Sequence, residues 1–276
     1  MNPALIAVAT LAAMCCCSLA LAEIKKTDVE YKQGDVTLKG VMMVDDQYKE
    51  KRPGVVIFPE WWGLTDYPKM RAEKLAKLGY VAFAADLYGD GKTTEDPRQA
   101  GEWAGALRKD QATLVARAQA ALDELKKNDL VDKDKTAAIG YCFGGTTALG
   151  LAMNGADLSG VAVFHAGLDL PLDNVKNIKC KVLICNGGDD KMVTPEQVEA
   201  LKKAFRDNKI DWEFNDYGGA LHAFTNPKAD KFNIPAIAYN KQADRRSWSD
   251  LTSFFKEIFN QPHTHVFQKD NEKGNE

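Results

Sequence analysis

The chain has 276 residues, of which 45% are hydrophobic and 27% are charged, and its formal net charge is −3. This composition is that of a soluble globular protein with a sizeable core, and the small negative charge gives no indication of a polyanion partner. We therefore expect one domain of somewhat more than 200 residues that does not bind nucleic acid.

The amino-terminal segment has the character of an export signal. Residues 1–22 carry no charged side chain, and Ala20-Leu21-Ala22 places small residues at the two positions that a signal peptidase reads. We predict cleavage before Glu23 and a periplasmic or secreted protein, although the segment is also long enough to remain as an uncleaved membrane anchor. A lipoprotein is disfavoured, because residues 12–14 make a poor lipobox before Cys15.

Hydrophobic patterns after Glu23 predict strands that alternate with helices. Residues 29–31 and 36–44 alternate with a period of two around a Gln-Gly-Asp turn, which predicts a β-hairpin. Short continuous apolar runs predict strands that are buried on both faces, at residues 55–58, 81–85, 136–139, 160–164 and 181–184. Helical patterns follow at residues 67–78 (capped by Asp66), 96–109, 111–127, 143–151, 195–208 and 243–259, with a last strand at 211–214.

This alternation predicts an α/β fold with a mostly parallel central sheet and helices on both faces. The domain is expected to span residues 23–260, and the polar residues 261–276 predict a disordered tail. Active sites of such sheets lie outside the carboxyl ends of the strands. The sequence contains no phosphate-binding glycine loop and no metal-ligand cluster, so we expect neither a cofactor nor a metal.

The most informative motif is Gly140-Tyr141-Cys142-Phe143-Gly144, between a predicted strand and a predicted helix. This is the setting of a nucleophile elbow, with cysteine in the place that serine usually occupies. The flanking glycines permit a strained turn and close packing of the helix against the strand. The alternative is an inert cysteine buried at a tight turn, because free cysteine is commonly a small core residue.

A cysteine nucleophile needs a base and a carboxylate that orients the base, and both follow predicted strands. His222 comes after the last strand, and Asp189 and Asp190 come after the strand that ends at Cys185. The order nucleophile, acid, histidine is that of α/β-hydrolases. The pattern Gly-x-x-Asp-x-x-Val favours Asp190 as the acid, and Asp189 is the alternative.

The other titratable candidates have simpler interpretations. His165 ends an internal strand and is interpreted as a core histidine whose hydrogen bonds are satisfied, and the remaining histidines lie in the tail. Cys180 and Cys185 belong to one predicted strand, where five steps separate them by roughly 16 Å on opposite faces. That spacing excludes a disulfide between them, so both are expected to be buried core thiols.

The oxyanion of an acyl-transfer reaction needs hydrogen-bond donors. We predict the backbone N–H of Phe143 and, from the loop after residues 55–58, the backbone N–H of Trp61. Glu60 precedes Trp61 and is unusual as a carboxylate at the end of an apolar strand. A surface glutamate is the weaker interpretation, because this strand end leads into the expected cleft.

With these motifs, the chain resembles the dienelactone hydrolase family of α/β-hydrolases over residues 36–259. The resemblance is carried by residues 58–64, 85–88, 140–145, 187–190 and 222–224. It implies Cys142 as nucleophile, His222 as base and Asp190 as the orienting acid. Glu60 would hold the resting thiol, then swing away and take its proton when substrate enters.

The chain departs from the family pattern in its arginines. Family members that open dienelactones carry arginines near the Asp-Leu-Tyr motif and shortly after the His-x-Phe motif, where they hold the substrate carboxylate. Here these motifs continue as Gly89-Asp90-Gly91 and Thr225-Asn226. Three other arginines, Arg71, Arg98 and Arg108, are candidates to replace them.

We therefore predict an exported, carboxymethylenebutenolidase-like hydrolase that acts as a monomer on a small-molecule ester or lactone. One alternative is an exported binding protein that keeps the fold but has no activity, since fold does not fix function. A thiol redox role for Cys142 is a weaker alternative, because the mature sequence has no Cys-x-x-Cys pair.

Overall fold

The fold is built on a central sheet of eight strands. The structure is a computed structural model that describes residues 23–260. The predicted signal segment and tail lie outside these described residues. The strands, in chain order, are β1 Ile24–Gln33, β2 Val36–Asp45, β3 Arg52–Phe58, β4 Val81–Ala84, β5 Val131–Tyr141, β6 Gly160–Phe164, β7 Lys181–Gly187 and β8 Trp212–Tyr217. Their order across the sheet is β1-β2-β4-β3-β5-β6-β7-β8.

The sheet confirms the predicted α/β class and the predicted hairpin. The hairpin strands β1 and β2 pair antiparallel, β2 also pairs antiparallel with β4, and the pairings from β4 through β8 are parallel. Within the described residues, no helix is both long and apolar enough to cross a membrane.

In the part of the chain that the structure describes, six α-helices cover the two faces of the sheet. They are α1 Asp66–Lys77, α2 Pro97–Lys109, α3 Gln111–Lys126, α4 Phe143–Met153, α5 Pro195–Asp207 and α6 Lys241–Ile258. The alternation within β3 shows how both faces are buried: Val56 and Phe58 pack with residues of α2 to α5, whereas Val55 and Ile57 pack with residues of α1 and α6. This double burial explains the continuous apolar runs in the sequence.

One predicted helix cap is wrong by a single residue. Asp66 is the first residue of α1 and Thr65 occupies the N-cap position, without a side-chain capping bond. A carboxylate in the first turn is still favourable there, because it faces the positive end of the helix dipole. Asp96, by contrast, caps α2 by accepting the backbone N–H of Arg98 at 2.9 Å.

The turn between β5 and α4 has the backbone of a nucleophile elbow. Cys142 has φ +54°, a region that residues other than glycine rarely adopt, and its N–H donates to the carbonyl of Phe164 at 3.0 Å. A Cβ atom at position 140 would lie 2.0 Å from the Gly144 oxygen, and one at position 144 would lie 2.2 Å from the Phe58 oxygen. Only glycine at both positions allows this crossing of strand and helix.

The parallel register brings the predicted site residues to one edge of the sheet. Phe58 at the end of β3 is paired with Gly140 on β5, so Glu60 and Cys142 each lie two residues beyond paired positions. On the other side of β5, Phe164 pairs with Tyr141 and in turn with Cys185 on β7. The loops after β3, β5, β7 and β8 therefore meet at the carboxyl edge.

Candidate active site

Asp190 and His222 form a buried pair beyond the ends of β7 and β8. The Nδ1 atom of His222 lies 2.7 Å from Oδ2 of Asp190, and both side chains are almost fully buried. The other oxygen of Asp190, Oδ1, accepts the backbone N–H of Met192 at 2.8 Å, which fixes the carboxylate. Asp189 is exposed, so the structure brings Asp190, and not Asp189, to the histidine.

The opposite nitrogen of His222 faces the elbow cysteine. Nε2 is buried and has no hydrogen-bond partner among the described residues. Asp190 occupies Nδ1, so Nε2 is the nitrogen left for Cys142, whose sulfur acts on the charge of the ring. Burial lowers the pKa of His222, but the Cys142 sulfur and the Asp190 carboxylate outweigh burial and raise the pKa to about 10. A nucleophile and its base often form their hydrogen bond only when substrate is present.

Three residues around the site have strained backbones. Positive φ occurs at Cys142 (+54°), at His165 (+40°) after β6, and at Ala223 (+58°) directly after His222. None of these residues is a glycine, so each conformation costs of the order of 1–3 kcal/mol and persists only where the surroundings enforce it. Such strain concentrates at functional sites, which agrees with the convergence of these loops.

Glu60 is a buried carboxylate at this edge, not a surface residue. Its exposed fraction is 3%, and its Oε2 accepts a hydrogen bond of 2.7 Å from Nδ2 of Asn226. Burial raises the pKa of Glu60 from 4.5 to about 7, although the Asn226 bond and the positive charges of His222 and Arg71 act in the opposite direction. Glu60 can therefore exchange a proton near neutral pH.

Because Glu60 is more basic in the folded chain than in the unfolded chain, its ionisation destabilises the fold. A rise of the pKa from 4.5 to about 7 corresponds to a loss of about 3 kcal/mol in the free energy of unfolding. This loss is absent below pH 4.5 and reaches its full value above pH 7. We expect Glu60→Gln, which keeps an acceptor for Asn226, to gain up to that amount of stability over wild type as the pH rises from 4.5 to 8.

Urea unfolding at several pH values tests this prediction. The exposed Glu50 supplies the matched control, because Glu50→Gln removes a carboxylate that is not buried. A stability difference between Glu60→Gln and wild type that is constant across this pH range would contradict the burial of an ionisable Glu60.

The two predicted oxyanion donors lie beside the elbow with free backbone N–H groups. Among the described residues, neither the N–H of Trp61 nor that of Phe143 donates a hydrogen bond. Phe143 is the first residue of α4, so its N–H points out of the positive end of the helix dipole. Tyr88 fixes the loop on the other side by donating its hydroxyl to the Trp61 carbonyl at 2.8 Å.

A buried polar network supports the loop that carries His222. The ring of His165 packs edge-on against His222 with a centroid separation of 5.2 Å, and its Nε2 lies 2.7 Å from the Thr225 hydroxyl. Arg71 donates to the Thr225 carbonyl at 2.6 Å and pairs with Asp244. The interpretation of His165 as a satisfied core residue is only half right, because its Nδ1 has no partner among the described residues.

The three candidate arginines occupy different environments. Arg71 is buried and committed to its network, and Arg98 lies on the surface near Asp96. Arg108 is exposed, and its guanidinium lies 5.3 Å from the centroid of the Phe143 ring, next to the elbow. Of the three, Arg108 is therefore the one that could meet a charged group of a substrate near Cys142.

The remaining described cysteines are buried, free thiols, as predicted. Burial raises the pKa of Cys180 to about 12 and that of Cys185 further, so neither presents a thiolate at neutral pH. Of the three, Cys142 is the one whose sulfur acts on the charge of a histidine ring, that of His222.

Sequence reasoning missed two residues that hold the site together, Asn226 and Tyr88. Asn226 attracted notice only as the residue that stands where an arginine was expected, and its contact with Glu60 depends on a fold that joins residues 166 positions apart. Tyr88 belongs to the recognised Asp-Leu-Tyr motif, but its bond to the Trp61 carbonyl is a tertiary contact that no local pattern reveals.

Comparison with known proteins identifies the family. The model of the dienelactone hydrolase family matches residues 38–259, which is most of the chain. The chain belongs to the dienelactone hydrolase family. As a member, it is a hydrolase of esters or lactones with the α/β-hydrolase fold.

Three similar proteins each match most of this chain. A solved dienelactone hydrolase-like promiscuous phosphotriesterase from metagenomic libraries is 40% identical, with a TM-score of 0.83 over 86% of this chain and 99% of that one. "Protein usf" of Aquifex pyrophilus is 29% identical over 83% of this chain and 97% of its own length. A carboxymethylenebutenolidase of Pseudomonas putida is 26% identical over 71% of this chain and 85% of its own length.

Proposed function

We propose that this dienelactone hydrolase family member cleaves carboxylic esters or lactones with Cys142 as its nucleophile. The observation that carries the proposal is a cysteine at φ +54° on the strand-to-helix turn, beside the imidazole of His222. Asp190, 2.7 Å from the far nitrogen of that ring, is the acid that orients it. This arrangement supplies the nucleophile, base and orienting group that acyl transfer requires.

In the free protein the thiol proton has passed to His222, whose raised pKa keeps it there, and in the acylation step the resulting thiolate of Cys142 attacks the carbonyl carbon. The negative charge that develops on the carbonyl oxygen is stabilised by the backbone N–H groups of Trp61 and Phe143. When the tetrahedral intermediate collapses, the bond to the alkoxide breaks and the alkoxide takes the proton from His222. The products are a thioester on Cys142 and an alcohol, which for a lactone remains attached to the acyl group.

Deacylation repeats these steps with water as the nucleophile. His222 removes a proton from water, the hydroxide attacks the thioester carbonyl, and the same N–H groups receive the oxyanion. The carbon–sulfur bond then breaks to restore the thiolate of Cys142 beside protonated His222, and the carboxylic acid leaves. Glu60, with its pKa near 7, is a second proton acceptor within the site.

A rapid-mixing measurement with p-nitrophenyl acetate tests the proposal. An acyl-enzyme that forms faster than it hydrolyses releases a burst of about one nitrophenolate per chain before steady turnover. A panel of esters and lactones with no burst and no turnover would instead favour the inactive binding protein.

We propose further that the protein is exported and acts in the periplasm or outside the cell. The support is the uncharged segment 1–22 and its Ala-Leu-Ala ending before Glu23. The mass of the protein recovered from the extracytoplasmic fraction tests this, since cleavage predicts a mature chain that starts at Glu23. Recovery of the uncleaved chain from the cytoplasm would contradict it.

A further inference from the structure

Asn226 is held in one orientation beside Glu60. Its exposed fraction is 4%, its Oδ1 accepts the backbone N–H of Lys228 at 2.9 Å, and its Nδ2 donates to Glu60 at 2.7 Å. Because an amide oxygen can accept from Lys228 and the amide nitrogen cannot, the NH₂ group must face the carboxylate. The side chain is therefore a fixed neutral donor directed at Glu60.

The Glu60 carboxylate is turned towards this donor and not towards the sulfur. The family resemblance implied that Glu60 holds the resting thiol, yet within residues 23–260 no hydrogen bond joins Glu60 to Cys142. Cys142 instead acts on His222. Thr225-Asn226 stands in the region where an arginine was expected, shortly after the His-x-Phe motif. Asn226 donates its hydrogen bond to the Glu60 carboxylate.

We propose that Asn226 is a positioning residue that holds the Glu60 carboxylate away from Cys142, so that the thiol faces His222 before any substrate binds. The proposal rests on the proposed function, in which Cys142 is the nucleophile. It deepens that function by making the thiol reactive towards neutral electrophiles in the free protein, with no substrate carboxylate needed to displace Glu60.

The charges around Glu60 show what its release would do. Glu60 interacts electrostatically with four titratable groups: His222 from the loop after β8, Arg71 and Tyr67 from α1, and Tyr141 from β5. Above pH 7 Glu60 is mostly ionised. A carboxylate freed from Asn226 would compete with the sulfur for the positive charge of His222 and disfavour the thiolate by like-charge repulsion.

The rate of alkylation by iodoacetamide tests the proposal in the substrate-free full chain. The reaction is followed by mass spectrometry at the peptide that contains Cys142, from pH 5 to pH 10, which separates it from the other cysteines. Because only the thiolate is alkylated, we expect Asn226→Ala to raise the pH midpoint by about one unit and to slow alkylation about tenfold at pH values below the wild-type midpoint. In a Glu60→Gln background, the same substitution is expected to change the rate less than twofold.

A second substitution separates positioning from folding. Asn226→Ser retains an oxygen for the Lys228 N–H but is too short to reach Glu60, so it is expected to behave as the alanine variant does while the loop stays capped. Wild-type profiles in both variants, or an equal shift with and without Glu60→Gln, would overturn the proposal. The proposed function is tested by a different measurement. Full ester hydrolysis by Cys142→Ala would contradict the cysteine nucleophile, whatever the alkylation rates of the Asn226 variants are.

Discussion

Replacement of Cys142 by alanine is expected to lower the rate of ester hydrolysis by at least about 10⁴-fold. The loss is large because the acyl group then has no sulfur to attack it, and only binding and the oxyanion donors remain. Steady-state hydrolysis of p-nitrophenyl acetate, after correction for the uncatalysed reaction, measures the effect. The thermal unfolding midpoint of the variant should stay close to that of wild type, since the removed sulfur lies at the edge of the core.

Cys180→Ala is the matched control for this experiment. Cys180 is also a buried free thiol, but it lies just before β7, away from the histidine. Its loss should leave kcat within about twofold of wild type, because it contacts none of the reacting groups. Turnover by Cys142→Ala within tenfold of wild type would contradict a cysteine nucleophile.

Replacement of Asp190 by asparagine is the second large effect, with an expected loss of kcat of about 10³–10⁴-fold. The carboxylate holds Nδ1 of His222 at 2.7 Å and contributes to the raised pKa of that ring. An asparagine can turn its NH₂ group to Nδ1, which would place the ring proton on Nε2 and remove the base that faces Cys142. The pH dependence of kcat should also change, since the pKa of His222 falls.

The neighbouring residue again supplies the control. Asp189 is exposed, and Asp189→Asn should leave kcat within about twofold of wild type. If both substitutions reduced kcat equally, or if only Asp189→Asn reduced it, the assignment of Asp190 as the orienting acid would be wrong.

The sheet was predictable because its burial leaves a local signature. Strands such as β3 are apolar on both faces, and the glycines of the elbow are required by approaches of about 2 Å that no Cβ could enter. The positions of Cys142, Asp190 and His222 followed from the same logic, because each lies just beyond a strand that ends at one edge. Apolar runs, elbow glycines and residues that follow a strand are all defined by neighbours in the chain, so the sequence alone reveals them.

The contacts between loops could not be predicted in this way. The bond from Asn226 to Glu60 joins residues far apart in the chain, and its direction depends on a second bond to Lys228. The network of Arg71 and Asp244 likewise depends on how α1 and α6 pack behind the His222 loop. The sequence does not show which arginines are buried, so only the fold distinguishes the buried Arg71 from the exposed Arg108.

The most direct test of the mechanism is to identify the atom that carries the acyl group. Protein that is quenched in acid during turnover of a slowly hydrolysed ester, digested and analysed by mass spectrometry should carry the acyl mass on the peptide containing Cys142. The adduct should be sensitive to hydroxylamine, as a thioester is, and should vanish in Cys142→Ala. An acyl group found on another residue while Cys142 stays unmodified would contradict the central claim.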